Sequence, residues 1–144
     1  MANSIANHWG KGDVYGRIVA ALEQMSKPLD GLTIEELAPV DHFHARGFPA
    51  TVDLADRLPI EAGDEILDIG CGLGGPARYM ANRFQCRVSG IDITQPFVEA
   101  GNKLTALTGM KEQVTIEQGD GQRLRYADDS FDGAYAQQDR KSVV

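Results

Sequence analysis

Asp68-Ile69-Gly70-Cys71-Gly72-Leu73-Gly74-Gly75 puts a carboxylate and a series of glycines into one short run. The run follows an apolar strand signal, Glu65-Ile66-Leu67, and leads into a helical stretch from Pro76 to Ala81. A strand, a glycine turn and a helix start together make a cradle for a nucleotide cofactor. Glycine lets backbone approach a ligand closely, and the first turn of a helix offers unpaired N–H groups. Gly70-x-Gly72-x-x-Gly75 matches the dinucleotide fingerprint GxGxxG, which alone is a weak signal. Asp68-x-Gly70-x-Gly72-x-Gly74 adds an acid two places before the first glycine. A pyrophosphate would then share its turn with a second anion, whereas a zwitterion bearing an ammonium group is suited to it.

S-Adenosylmethionine has an α-amino group, a sulfonium and no phosphate, so Asp68 favours it over NAD. Cys86-Arg87-Val88-Ser89-Gly90-Ile91-Asp92-Ile93 reads as a second strand ending in Asp92, where a βαβ unit places its ribose-binding carboxylate. Both cofactors need that residue. A third strand, Val114-Thr115-Ile116-Glu117-Gln118, runs into Gly119-Asp120-Gly121, where a carboxylate can accept from an adenine amine. Asp92 alone could be a solvated strand end and Asp120 alone a turn residue. Three acids at three successive strand ends point instead to a ligand.

Leu67-Asp68-Ile69-Gly70-Cys71-Gly72-Leu73-Gly74-Gly75, Gly90-Ile91-Asp92-Ile93, Gly119-Asp120-Gly121 and Ser130-Phe131-Asp132-Gly133-Ala134-Tyr135 together resemble the class I S-adenosylmethionine-dependent methyltransferases, over about residues 50–138. Gly12-Asp13-Val14-Tyr15 and Asp41-His42-Phe43-His44-Ala45-Arg46-Gly47 resemble a small-molecule subgroup that includes sarcosine/dimethylglycine N-methyltransferases, with sterol, tocopherol and quinone C-methyltransferases as relatives. The resemblance implies a cofactor-binding set of Asp68, Gly70, Cys71, Gly72, Gly74, Asp92, Ile93, Asp120, Gly121 and Gln137, with Gln137 facing the methyl region. It also implies that the loop with Phe43, His44 and Arg46 folds over the cofactor and lines the acceptor mouth, and that the helix carrying Tyr15 covers the sulfonium. The residues by themselves favour Tyr15 as core, since it sits on an apolar helix face.

Elements must hold these groups in place. Tyr15, Ile18, Val19, Leu22 and Met25 lie on one face of a helix over 13–25, closed by Lys27-Pro28. Thr33-Ile34-Glu35-Glu36 has the capping-box form and opens a short helix that Pro39 stops within a turn. A further helix is expected over 49–58. From Asp64 onward strand and helix alternate: strands at 64–69, 86–92, 113–118 and 131–137, helices at 75–84 and 96–108. The expectation is an α/β, Rossmann-like parallel sheet in the order 3-2-1-4. A helical cap over 1–60 precedes a cofactor-binding half-domain over 61–138. The resemblance implies a seven-stranded sheet, of which strands 5–7 are expected to be missing, with strand 4 left at an open edge.

The 144 residues are enough for one domain with a core, and 42% apolar and 24% charged content is that of a globular chain. A net charge of −7 disfavours nucleic acid and anionic membrane, which need Lys/Arg patches. Arg123 and Arg125 read as a solvated loop. The first residues have neither a basic nor an apolar signal region, and no apolar run reaches membrane-spanning length. Cys71 and Cys86 are too few for a disulfide framework or a metal site, so reduced thiols and a cytoplasmic location are expected. His42 and His44 have no third or fourth ligand beside them, so no metal is expected.

The expected activity is methyl transfer from S-adenosylmethionine to a nitrogen or carbon of a small molecule, with no catalytic base identified. The alternatives are an NAD-dependent oxidoreductase, which GxGxxG and Asp92 permit and Asp68 and Asp120 oppose, and a non-catalytic nucleotide-binding module. Asp139-Arg140-Lys141-Ser142-Val143-Val144 breaks the continuation of strand 4 and back-translates into a short-read sequencing adapter. Residues 139–144 are therefore expected to be adapter read-through, and the chain an inactive fragment of a longer enzyme.

Overall fold

The computed structural model describes residues 13–42 and 47–137. Three helices come first: α1 (Val14–Gln24), α2 (Ile34–Asp41) and α3 (Gly47–Arg57). They are followed by β1 (Glu65–Ile69), α4 (Gly75–Phe84), β2 (Arg87–Asp92), α5 (Gln95–Leu107), β3 (Val114–Gln118) and β4 (Gly133–Tyr135). Phe43, His44, Arg46 and the tail at 139–144 lie outside the described residues.

Local chemistry sets the ends of the N-terminal helices. Asp13 caps α1 by accepting from the Gly16 N–H, and Ser26, in the left-handed region, closes it. That closure comes before Lys27-Pro28, because the Lys27 N–H already reaches back to the Leu22 carbonyl at 2.9 Å. The capping box on α2 forms in full: Thr33 Oγ1 accepts from the Glu36 N–H at 3.1 Å, and Glu36 Oε1 accepts from the Thr33 N–H at 3.0 Å. Pro39 sits inside the helix, which runs two residues further to Asp41.

The four strands are parallel in the order β3-β2-β1-β4, as the alternating pattern predicts. Between β1 and β4 the order of the strands reverses, and open α/β sheets bind ligands outside the strand ends at such a point. β4 is shorter than the expected 131–137. Among the described residues it pairs only with β1, and Gly70 turns β1 away just past the Asp68–Tyr135 register pair. Asp132 still ties the start of the strand, its Oδ2 accepting from the Glu65 N–H at 2.8 Å.

One apolar cluster joins Ile66, Val88, Val114 and Tyr135 of the sheet to Ala77, Met80 and Ala81 of α4 and Ala55 of α3. A second joins Val14, Ile18 and Leu22 of α1 to Leu37, Leu104 and Leu73. Leu73 lies in the glycine turn, so packing of the N-terminal helices bears directly on that turn. Among the described residues, no helix is long and apolar enough to cross a membrane.

Candidate functional site

The glycine turn is built from backbone first. Gly70, Gly72 and Gly74 all have positive φ, which side chains rarely tolerate. At Gly74, with φ +86°, a Cβ would also stand 2.6 Å from Ile116 Cδ1. The Gly70 and Cys71 N–H groups both donate to the Ile91 carbonyl at 2.9 Å, locking the turn onto the end of β2. Gly74, the N-cap of α4, brings no side-chain hydrogen bond to the helix start, and Pro76 occupies the first turn.

Asp92 joins that turn. Its Oδ2 accepts from the Gly72 N–H at 2.8 Å and its Oδ1 from the Thr94 N–H at 2.9 Å. Each oxygen keeps acceptor capacity toward the cleft, since an ionised carboxylate has about four lone-pair sites. The spacing of Asp92 anticipates a strand-end carboxylate, but not that it would bind the cofactor turn itself.

Asp68 is 2% exposed. Its register partner on β4, Tyr135, donates from Oη to Asp68 Oδ2 at 2.9 Å. Burial pushes the Asp68 carboxyl up to about 7; the phenol hydrogen bond opposes this and the neighbouring Asp92 charge adds to it. The Tyr135 phenol is driven well above its ordinary range, first by burial and then by Asp68. Tyr135 was legible only as a strand residue; its role needs the β1–β4 register, which pairs residues far apart in sequence.

The strand ends enclose a cleft of about 560 Å³, lined by Ile69, Gly70, Ile91, Asp92, Ile93, Gly119, Asp120, Gly121, Gln122 and Ala136. That size is within the usual range for small-ligand sites. Ile93 is 69% exposed at the rim. Asp120 is exposed, and its Oδ1 accepts from the Gln122 N–H at 2.9 Å, which fixes the loop in a turn. Gly121 rests against β1, where a Cβ would be 2.5 Å from Ile69 Cγ2. An adjoining cleft of about 390 Å³ shares Ile91, Gly119 and Asp120 and is closed by Arg123, Leu124, Arg125 and Tyr126.

The structure thus gathers Gly70, Asp92, Ile93, Asp120 and Gly121 around one cleft. Gly72, Gly74 and Asp68 are not part of its lining, and the Asp68 carboxyl feels the Asp92 charge. Cys71 is buried against Gly90, and burial, with the Asp68 and Asp92 charges, raises its thiol well above the usual value. Gln137 follows β4, and its Oε1 accepts from the buried Thr51 of α3 at 3.3 Å. Tyr15 is not brought to the cleft: it packs on α5 with Lys103 Nζ 5.2 Å from its ring centre. Among the described residues, no group of three or more His, Cys, Asp or Glu side chains is placed to hold a metal.

A family model described as methyltransferase domain matches residues 66–142. The chain is 42% identical over 138 residues to 27-O-demethylrifamycin SV methyltransferase of Amycolatopsis mediterranei, covering 94% of this chain and 49% of that protein. It is 37% identical over 83 residues to sterol 24-C-methyltransferase of Yarrowia lipolytica, covering 58% and 22%. Geranyl diphosphate methyltransferase in complex with its diphosphate and sinefungin superimposes with a TM-score of 0.59 at 25% identity, over 61% of this chain and 33% of that one. Phosphoethanolamine N-methyltransferase 2 of Haemonchus contortus, solved with S-adenosyl-L-methionine, gives 0.58 at 26%, over 67% and 22%. The chain spans half or less of the length of each of these relatives. A glycine turn clamped by Asp92, a 3-2-1-4 parallel sheet and a family match over most of that sheet lead to one conclusion: the chain belongs to the methyltransferase-domain family and carries its class I, Rossmann-like fold.

Proposed function

We propose that the cleft binds S-adenosylmethionine and that the whole protein transfers its methyl group to a nucleophilic nitrogen or carbon of a small molecule. The observation that carries this reading is the charge of the site. Asp68, Asp92 and Asp120 stand at successive strand ends, and the Asp68 carboxyl is already pushed up to about 7 by burial, against the Tyr135 hydrogen bond and with the Asp92 charge. A ligand with ammonium and sulfonium groups relieves that arrangement. A pyrophosphate adds to it, which argues against the NAD reading.

The residues present fit the cofactor. Asp92, with lone pairs left on both oxygens, would hold the ribose hydroxyls. Ile93 offers an exposed apolar face to the adenine, and Asp120 with the Gly121 amide its polar edge. Asp68 would serve the amino-acid end, directly or through water, and Gln137 with Thr51 would bound the methyl end. When bound, S-adenosylmethionine supplies an electrophilic methyl on a sulfonium. The chain's own contribution is to orient and to exclude water, which accelerates a displacement without a catalytic base when the acceptor is already nucleophilic. We place Tyr15 in the packing of α1 on α5, not at the acceptor.

An oxygen acceptor is a second reading. It is favoured by the relative named for O-methylation of a rifamycin, whose match covers 94% of this chain and so includes the N-terminal helices. We further propose that the described residues supply the cofactor half and bind without turnover, in a cytoplasmic protein. Calorimetric titration with S-adenosylmethionine, followed by a methyl-transfer assay on the chain and on an extended gene product, tests the binding and the turnover. Binding by both with turnover by the extended protein alone supports it, and NADH binding more tightly overturns it.

A further inference from the structure

Arg78, in the first turns of α4, has no part in the reading above, yet it is completely buried. A buried guanidinium is costly unless most of its N–H groups are bonded and its charge is met. Nη1 donates to the Gly101 carbonyl at 3.1 Å and to Thr105 Oγ1 at 2.8 Å, both on α5. Nη2 donates to the Leu73 carbonyl at 2.7 Å and to Asp41 Oδ2 at 2.9 Å. All four terminal N–H bonds are used, on three separate pieces of the fold, while the buried Nε N–H has no partner among the described residues. Asp41 closes α2, and its other oxygen accepts from His42 Nδ1 at 2.6 Å.

The N-terminal helices also touch the cofactor turn directly. A Cβ on Gly75 would lie 2.7 Å from both the Asp41 carbonyl and His42 Cε1, so the end of α2 rests on the first residue of α4. A purely structural contact here would be served as well by a hydrophobic side chain of similar volume, since buried ion pairs seldom add net stability. What a hydrophobic residue could not do is hold a carbonyl. The Leu73–Gly74 peptide is fixed from both sides, its C=O by Arg78 and its N–H by the Cys71 carbonyl at 2.9 Å. Gly74 tolerates either sign of φ, so without Arg78 this peptide has a second orientation open to it.

We propose that Arg78 is a positioning residue that selects one orientation of the glycine turn, and that Asp41 holds it in place. Cofactor affinity then depends on a carboxylate in α2 that does not line the cleft. If the competent orientation falls to about a tenth of the population, the apparent dissociation constant rises about tenfold.

The test uses the full chain as wild type, as the paired variant Arg78→Met with Asp41→Leu, which removes both charges of the Arg78–Asp41 pair and also the acceptor of His42 Nδ1, and as Arg78→Lys, whose single ammonium cannot span four acceptors. Two readouts are taken: calorimetric affinity for S-adenosylmethionine, and hydrogen exchange of the Gly74 amide without ligand. The affinity arm rests on the cofactor reading; the exchange arm does not. Expected are native-like circular dichroism, about tenfold weaker binding and faster Gly74 exchange in the paired variant. A folded paired variant that binds within twofold of wild type and exchanges Gly74 at the wild-type rate overturns the proposal. If the paired variant does not fold, Arg78→Lys is judged by the same two readouts. If wild type does not bind the cofactor, the cofactor reading fails, and the exchange comparison alone decides the positioning role: faster exchange supports it and unchanged exchange overturns it.

Discussion

Replacing Asp68 with asparagine keeps the volume and an acceptor for Tyr135 while removing the titration. In the fold, burial raises this carboxyl from 3.8 to about 7. The difference of roughly three pK units corresponds to about 4 kcal/mol between protonated and ionised forms. A folded-state value above the unfolded one means that the fold holds the proton more tightly. That contribution to stability is fully present below pH 4, declines from about 4 to 7, and is lost above 7. Urea unfolding of wild type and Asp68→Asn across pH 4 to 8.5 isolates it, because other titrations cancel in the difference. The variant should gain on wild type by up to about 4 kcal/mol as pH rises through this window, with a plateau above 7. A difference that stays constant with pH would refute the reasoning: Asp68 would then be ionised in the fold, and Tyr135 and the surroundings would be solvating it fully.

The Thr33→Ala variant removes the capping box on α2 and should cost about 1 kcal/mol in chemical denaturation, with circular dichroism unchanged. Gly121→Ala puts a methyl 2.5 Å from Ile69 Cγ2 and should destabilise by about 1–3 kcal/mol while weakening cofactor binding, read by melting and titration. Burial raises the Cys71 thiol well above its usual value and Cys86 to about 11, so both should react slowly with a thiol reagent in the native protein at pH 8 and rapidly in urea.

Much of this fold is local and therefore legible. The capping box at Thr33–Glu36, the strand-glycine-helix run from Glu65 and the alternation after Asp64 each specify an element from neighbouring residues, and the sheet order follows. The cleft was legible through Asp92, Asp120 and the glycines because strand ends recur at fixed spacing in βαβ units. What stayed hidden depends on contacts between distant residues. Asp92 turns inward to Gly72, and Tyr135 meets Asp68 only once β4 pairs with β1. Arg78 reads in sequence as a surface cation on a helix. The faint signal against that is the flanking Ala77 and Ala81, small residues that leave room for a guanidinium between helices. Tyr15, which the residues by themselves favour as core, packs against α5.

The most direct test of the account is competitive calorimetry of S-adenosylmethionine against NADH on the chain, with Asp92→Ala as control. The account predicts binding of S-adenosylmethionine, no measurable NADH binding, and at least about tenfold loss in Asp92→Ala, which removes the acceptor of the Gly72 N–H and the acceptor proposed for the ribose. NADH binding more tightly, or S-adenosylmethionine binding that is indifferent to Asp92, would contradict it.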